Sequence, residues 1–351
     1  MLSKPNFLAT SKASKHSLLR GSNTWTFHND SLDCSESDTY TRSLTLTACG
    51  EDEFTCNTGK CINMDKRCDS REDCPDRSDE LECKLVHRPE GYNKFLTPVS
   101  SLPNHRVIIN ITVDIENILE IDELKEKFVV KFTFKRDWYD NRLIFFNLKE
   151  DARNLNHINP EEWDELWYPS VDINNIQNKM KFKATSIQDI KKIIPNSNFN
   201  FEVGEMKYEK NYRIFQGSEN ILTLSKEWSV EFICQYNTAK YPFDTQICKM
   251  EFVEGFSMMN LNPTKLNFNQ KISLSSYFVQ GVKMCQTVVS DKQAIVVAVT
   301  LGRPLVSNVL TVFIPTTILM AISYMVRVFE ADYLDMVIEV NLTVLLVQAT
   351  L

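Results

Sequence analysis

The chain has 351 residues, with 39 Lys and Arg against 46 Asp and Glu, a net charge of -7 and a pI near 5.4. That length asks for two or three domains rather than one, and the acidic balance, with no long basic run, excludes a nucleic-acid surface. Ten cysteines, six of them between 49 and 83, indicate an oxidising compartment, although the basic first residues lack the apolar stretch of a secretory signal.

Residues 1–48 are polar and rich in Ser and Thr, and read as a polar leader or as the end of a truncated upstream extracellular domain. Trp25, Phe27, Cys34 and Tyr40 are more apolar than a linker needs, and Thr41–Ala48 sets Leu44 and Leu46 against polar neighbours, which suits an edge strand. Asn29-Asp30-Ser31 is a candidate glycan acceptor. Both chain ends read as cut, the second inside an apolar run at Leu351, so a piece of a longer membrane protein is expected.

From Cys49 to Cys83 there are six cysteines and eleven acidic residues, and only Phe54, Ile62, Met64 and Leu81 to fill a core. So small a unit needs staples, and six cysteines leave fifteen pairings open. The carboxylates concentrate after Cys68, as Asp69, Glu72, Asp73, Asp76, Asp79 and Glu80. Converging carboxylates repel unless a cation gathers them, and Ca²⁺ takes about six to eight oxygens. Phe54-x-Cys56, Gly59-x-Cys61-Ile62 and Asp76-x-Ser78-Asp79-Glu80 resemble the low-density lipoprotein receptor class A module. The resemblance implies the pairs Cys49–Cys61, Cys56–Cys74 and Cys68–Cys83. It also implies a structural Ca²⁺ held by the carboxylates of Asp69, Asp73, Asp79 and Glu80 and the carbonyls of Lys66 and Arg71. Lys66 stands where the family usually has Trp, a departure that keeps the carbonyl but not an aromatic recognition surface.

Residues 84–303 read as a β-sandwich. Arg106–Glu116 and Lys127–Lys135 alternate apolar and polar residues at the strand period, and Trp228–Gln235 and Ala294–Leu301 fit further strands. Asn110-Ile111-Thr112 places a second candidate glycan acceptor on the polar face of its strand. Cys234 and Cys248 enclose thirteen residues with Tyr241-Pro242-Phe243 at the centre and Asp244 after them. A disulfide there closes a short loop, contributes about 3 kcal/mol, and holds the aromatic–proline tip outward. Leu305–Val326 runs 22 residues without a charge, enough to span a bilayer despite Pro315. After a charged turn at 327–335, Met336–Leu351 is apolar again. Residues 304–351 are therefore expected to be a first membrane helix and part of a second.

Several segments together resemble the pentameric Cys-loop ligand-gated ion channels. They are the Cys234–Cys248 loop, Trp138-Tyr139-Asp140-Asn141-Arg142-Leu143, Trp167-Tyr168-Pro169 (with Ser170 where Asp is common), Gly217-Ser218-Glu219-Asn220, Phe232-x-Cys234, Arg303, Ile314-Pro315-Thr316 and Ile322-Ser323-Tyr324. Their order and spacing agree over residues 90–351. The resemblance implies five subunits, homo- or heteromeric, in the plasma membrane, with residues 1–303 outside and a small-molecule agonist captured between neighbours. Trp138, Arg142 and Trp167 are the expected cleft residues, and the tip Tyr241, Pro242, Phe243 and Asp244 is expected to press on the membrane domain. The second helix is expected to line the pore with Glu339, Thr343, Leu346 and Thr350, which share one face, and with Leu346 as gate.

Anion-selecting relatives carry Pro-Ala-Arg before this helix; Tyr333–Glu339 does not, so a cation-selective pore is expected, with an anion-selective one as the alternative. The segment after Cys248 lacks the family's Gly-Ser-aromatic, although Phe256 lies near, and no vicinal cysteine pair accompanies Cys285, so the agonist stays unnamed. An adhesion or endocytic receptor using the class A module to bind an extracellular protein is the competing reading; a second span soon after the first argues against it. Five scattered histidines, with no nucleophile–base pair and no phosphate loop, leave no expectation of an enzyme.

Overall fold

Alternation along two long segments, each with one face turned to a core, generates the scaffold around which the chain folds. The structure is a computed structural model that describes residues 7–11, 20–29, 39–50, 52–99, 106–150, 155–176, 189–198, 200–204, 212–255, 258–268, 277–326 and 334–350. Cys34, Phe256 and the side chains of Asn29 and Thr350 lie outside the described residues.

Strands β1 (Phe7–Ser11), β2 (Gly21–Asn29) and β3 (Thr39–Leu46) form an antiparallel meander, with β3 at an edge. Phe27 stacks on its cross-strand partner Tyr40 at 5.2 Å. Strands β4 (Glu53–Thr55) and β5 (Cys61–Asn63) make a hairpin in the stapled module, whose core is Phe54, Cys56, Ile62, Met64 and Cys74. Leu81, counted among the fillers from the sequence, is exposed; Arg67 is buried in its place, its guanidinium 4.4 Å from the Phe54 ring centre. The disulfides join Cys49 to Cys61, Cys56 to Cys74 and Cys68 to Cys83, the pairs the resemblance names.

The sandwich begins at β6 (Val86–His87), β7 (Val107–Asp122), β8 (Lys127–Trp138) and β9 (Ile144–Phe146). Helix α1 (Pro160–Asp164) is capped by Asn159, whose side chain accepts from Glu162 N. Then come β10 (Val171–Ile173), β11 (Ile190–Ile194), β12 (Glu202–Gly204), β13 (Tyr212–Gln216), β14 (Ile221–Ile233), β15 (Thr245–Glu254), β16 (Met259–Phe268), β17 (Phe278–Val289) and β18 (Lys292–Gly302). One sheet has the order β11-β14-β8-β7-β16, a second β10-β15-β18-β17, and a short third β12-β13-β9-β6. All pairs are antiparallel except β16 with β7.

Strand β8 buries Phe128, Val130, Phe132, Phe134, Arg136 and Trp138 on one face. The first two sheets meet where Phe134 stacks on Phe252 at 4.6 Å and Phe132 meets it edge-on at 5.6 Å. Each such buried ring contributes roughly 1.5–3 kcal/mol of transfer free energy. On the opposite face Lys131 bridges Glu116 (2.9 Å) and Glu227 (2.6 Å), and Lys127 bridges Glu120 (2.7 Å) and Glu231 (4.0 Å), one ladder across β7, β8 and β14.

Past Arg303 the chain is helical: α2 (Leu305–Asn308), a π turn at Val309–Phe313, α3 (Ile314–Val326) and, later, α4 (Leu334–Thr350). Proline has no N–H to donate and its ring crowds the carbonyl four residues back, so the π turn directly before Pro315 is where the helix must widen. Thr316 Oγ1 donates to Val312 O at 2.8 Å and Thr317 Oγ1 to Ile314 O at 2.8 Å, occupying carbonyls there. No helix among the described residues is long and apolar enough to cross a membrane. The 22-residue run expected as one helix is helical throughout 305–326, with a π turn at Val309–Phe313 between α2 and α3.

Candidate functional site

Three chain segments far apart in sequence meet at one end of the second sheet. The β10 segment pairs with β15 through Val171–Glu254, Asp172–Val253 and Ile173–Phe252, and Asn174 Nδ2 donates to Glu251 Oε2 at 3.0 Å. Gly255 lets the two strands approach closely, because a Cβ there would stand 2.9 Å from the Ser170 carbonyl oxygen. Strands β17 and β18 close through Ser290 (φ 51°) and Asp291 (φ 63°), both left-handed, the geometry of a type I′ hairpin. Between these segments lies a groove of about 600 Å³ with an apolar floor of Val171, Ile173, Trp228 and Val253 and the charged groups Asp172 and Lys292 at its walls.

The residues expected in such a cleft lie elsewhere. Trp138 (1% exposed) and Trp167 (3%) meet edge-on at 6.2 Å inside the sandwich. Arg142 forks onto the fully buried Asp140, at 2.8 and 2.7 Å, and donates to Leu96 O at 2.7 Å. Tyr92 completes the cluster, its hydroxyl donating to Asp140 and accepting from Trp167 N at 2.9 Å; burial and the Asp140 charge push its pKa up to about 12. Trp138 and Trp167 are packed within the sandwich and Arg142 is held by Asp140 beside them, whereas the ring that lines the groove is Trp228.

At the opposite end of the strands, Cys234 and Cys248 are disulfide-bonded and Tyr241–Pro242 is cis. The tip is presented outward, with Tyr241 43% and Phe243 70% exposed. Asp244, grouped with the tip in the sequence, turns inward instead, where Arg303 Nε donates to its two oxygens at 2.8 and 3.0 Å. Arg303 Nη2 donates to Glu123 Oε2 at 2.7 Å, and the guanidinium carbon lies 4.9 Å from the Tyr241 ring and 4.6 Å from that of Tyr277. Burial works against the Arg303 charge, but the hydrogen bonds from Glu123 and Asp244 outweigh it and hold the guanidinium more firmly protonated than usual. Burial likewise opposes ionisation of Asp244, and the bonds from Arg303 and Gln246 reverse it, so its pKa falls below the usual value. Nothing in the spelling of Glu123 or Tyr277 marks them as partners; only the fold brings them to Arg303.

In the stapled module the expected ligand residues also bond to one another and to Lys66. Lys66 Nζ occupies Asp73 Oδ1 at 2.7 Å, Asp73 N donates to Asp79 Oδ2 at 2.7 Å, and Asp69 N donates to Glu80 Oε1 at 2.8 Å. Among the described residues the tight groups of potential ligands are Cys49–Glu53–Cys61 and Cys56–Cys74–Asp76, whose sulfurs are in disulfides, so Asp69, Asp73, Asp79 and Glu80 stand apart. The residues nonetheless fit a hard cation. Asp79 is fully buried and its Oδ1 has no hydrogen-bond donor, an oxygen that a bound ion would satisfy.

Of the expected pore residues, Glu339, Thr343 and Leu346 are exposed on α4, whereas Asn341 and Val344 face α3, Asn341 bonding Ser323 and Val344 being buried. The two sets lie on opposite faces. Asn110 is half-buried on β7, and its Oδ1 accepts from Asn262 Nδ2 at 2.8 Å. Cys285 is a free, exposed thiol on β17.

Residues 80–298 match the neurotransmitter-gated ion-channel ligand binding domain, and residues 47–83 match the low-density lipoprotein receptor domain class A. The chain is similar to the gamma-aminobutyric acid receptor subunit pi of Rattus norvegicus, with 25% identity over 263 residues, 71% of this chain and 52% of that protein. It is also similar to the glutamate-gated chloride channel of Drosophila melanogaster, with 24% identity over 163 residues, 46% of this chain and 28% of that protein. The module alone is 54% identical over 37 residues to the basement membrane-specific heparan sulfate proteoglycan core protein of Mus musculus, 10% of this chain and 1% of that protein. The chain spans about half the length of the receptor subunits it matches, 52% and 49%.

Proposed function

The chain belongs to the neurotransmitter-gated ion-channel family, and on that premise we propose that it is a subunit of a pentameric plasma-membrane channel whose agonist binds outside the cell. The groove at Asp172, Trp228 and Lys292 is the principal half of the agonist site, completed by a neighbouring subunit. An acid and a base over an apolar floor suit a small zwitterion, its ammonium on Asp172 and its carboxylate on Lys292; this is the chemistry of an amino acid. The names of two relatives, a gamma-aminobutyric acid receptor subunit and a glutamate-gated channel, favour the same class.

The observation that carries the reading is the joint at Arg303. Ion-paired to Asp244 and Glu123, it stands one residue before the cap of the first helix, so a change of state in the sandwich reaches the helices through that residue. Agonist opens the pore to the degree that it prefers the open state. In this reading α2, the π turn and α3 cross the membrane together as one span, although none is long enough alone, and α4 is part of a second span that lines the pore with the face of Glu339, Thr343, Leu346 and Thr350. Support comes from the packing of α3 against the other face. Leu346 closes the pore by dewetting, and the acidic ring of Glu339 selects cations. The competing anion-selective reading rests on the relative named as a chloride channel. The module holds Ca²⁺ through Asp69, Asp73, Asp79, Glu80 and the carbonyls of Lys66 and Arg71, and leaves room for an extracellular protein partner. Asn110 carries a glycan.

Channels should be recorded while amino acids are applied. Asp172→Asn and Lys292→Gln should each raise the half-maximal concentration about tenfold to a hundredfold, the loss of one charge-assisted hydrogen bond. Absence of current with every zwitterionic amino acid, or unchanged sensitivity in both variants, would remove this site. Glu339→Gln, read by reversal potential, separates the two selectivities: no shift in Glu339→Gln sinks the cation reading.

A further inference from the structure

The class A module is clasped by the sandwich rather than merely tethered to it. Lys149, just beyond β9, donates Nζ to the carbonyls of Asp65 (2.7 Å) and Arg67 (2.6 Å). Arg213 on β13 is ion-paired with the Asp65 carboxylate. Buried Arg67 faces the Phe54 ring at 4.4 Å and, across the boundary, the Tyr212 ring at 5.9 Å, and its Nη1 donates to the carbonyls of Ser78 (2.7 Å) and Asp79 (3.0 Å). The gripped peptides flank Lys66, whose carbonyl belongs to the proposed calcium set, and lead directly to Asp69, Arg71 and Asp73. Asp79, held by Arg67 through its carbonyl, is the residue whose buried Oδ1 lacks a donor. Residues that would hold the ion and residues that hold the sandwich therefore alternate along one short stretch of chain.

We propose that the module is a calcium effector site of the ligand-binding sandwich: calcium uptake at residues 66–80 and docking onto Lys149, Tyr212 and Arg213 stabilise one another. The proposal rests on the calcium reading given above. Without the ion, the like charges of Asp69, Asp73, Asp79 and Glu80 would repel one another. With it, peptides 65–73 are fixed and the carbonyls that receive Lys149 are preorganised. The coupling is reciprocal, so weakening the clasp must weaken calcium binding by the same factor.

The experiment uses the full chain, with calcium chloride titrated calorimetrically and amide hydrogen exchange followed in calcium and in EDTA. EDTA should accelerate exchange at 144–149 and 212–216. Tyr212→Leu, which changes no charge but removes the ring facing Arg67, should lower calcium affinity about tenfold, and Tyr212→Phe should restore it. Should Tyr212→Leu fail to fold, Arg213→Gln replaces it, with exchange at 144–149 as the readout. Calcium binding by the wild type with no change in exchange at these segments and unaltered affinity in the variant overturns the coupling alone. No calcium uptake by the wild type overturns the calcium reading itself, and the coupling with it.

Discussion

Arg303→Gln tests the joint between sandwich and helices. The side chains of Arg303 and Asp244 are 7% and 2% exposed, so water screens their attraction little. Removing one partner of a buried pair generally costs about 3–5 kcal/mol, because the other charge stays behind uncompensated. Two charged donors are lost at once, the Nε–H shared between both Asp244 oxygens and the Nη2 group on Glu123. Gln246 Nε2 still donates to Asp244, which places the expected cost near the lower bound, about 3 kcal/mol. Arg303→Lys keeps the charge but not the fork, and should cost roughly 1–2 kcal/mol. Asp244→Asn combined with Arg303→Gln should destabilise less than the sum of the singles, by about 2 kcal/mol. Denaturant unfolding of the full chain, followed by tryptophan fluorescence, measures all of these. A change within about 0.5 kcal/mol for Arg303→Gln, or strict additivity in the double variant, would show that the network is incidental to stability.

Three further outcomes are expected. Cys234→Ser should lower stability by about 3 kcal/mol; a melt identical to wild type, despite a new titratable thiol, would contradict the role of the loop. For pH, the folded pKa of Asp244 is depressed below 3.8, so its contribution is fully present above that value and is lost as pH falls below it, through the folded pKa. This component should thus be flat between about pH 5 and 8 and vanish on acidification below about pH 4 in wild type, and Asp244→Asn should lack it; a loss centred near neutrality would refute the assignment. Leu346→Thr should lower the agonist concentration that opens the channel or let it leak without agonist, and an effect on expression alone would mean that this face of α4 packs against protein.

Strands β7 and β8 were legible because each buries one face, so Ile109, Ile111 and Val113, or Phe128, Val130 and Phe132, recur at period two. The same logic broke down at Arg136, which ends the visible alternation yet points into the core. There Nη1 donates to Pro169 O at 2.8 Å and burial pulls its pKa down to about 10. The third sheet was invisible in advance: β9 and β12 have three residues each and β6 two, too few for a period to register, and the five residues of β13 do not alternate in burial. Trp138 in a core and Trp228 under a groove look identical as letters; what separates them is which loops arrive beside them. The Cys234–Cys248 loop was legible since proline and paired cysteines encode geometry locally. The inward turn of Asp244 was not, because its partner is 59 residues away.

The wiring of Arg303 has a consequence for biogenesis. All its partners, Glu123, Tyr241, Asp244 and Tyr277, precede it in the chain, the farthest by 180 residues. During synthesis, which proceeds from the N-terminus, the whole sandwich is already made when this arginine emerges, and the helices follow within two residues. Long-range contacts of this kind form late. The joint is thus a checkpoint on maturation: a nascent subunit whose sandwich has not closed presents Asp244 and Glu123 to an arginine that finds no seat, and its first helix starts unanchored.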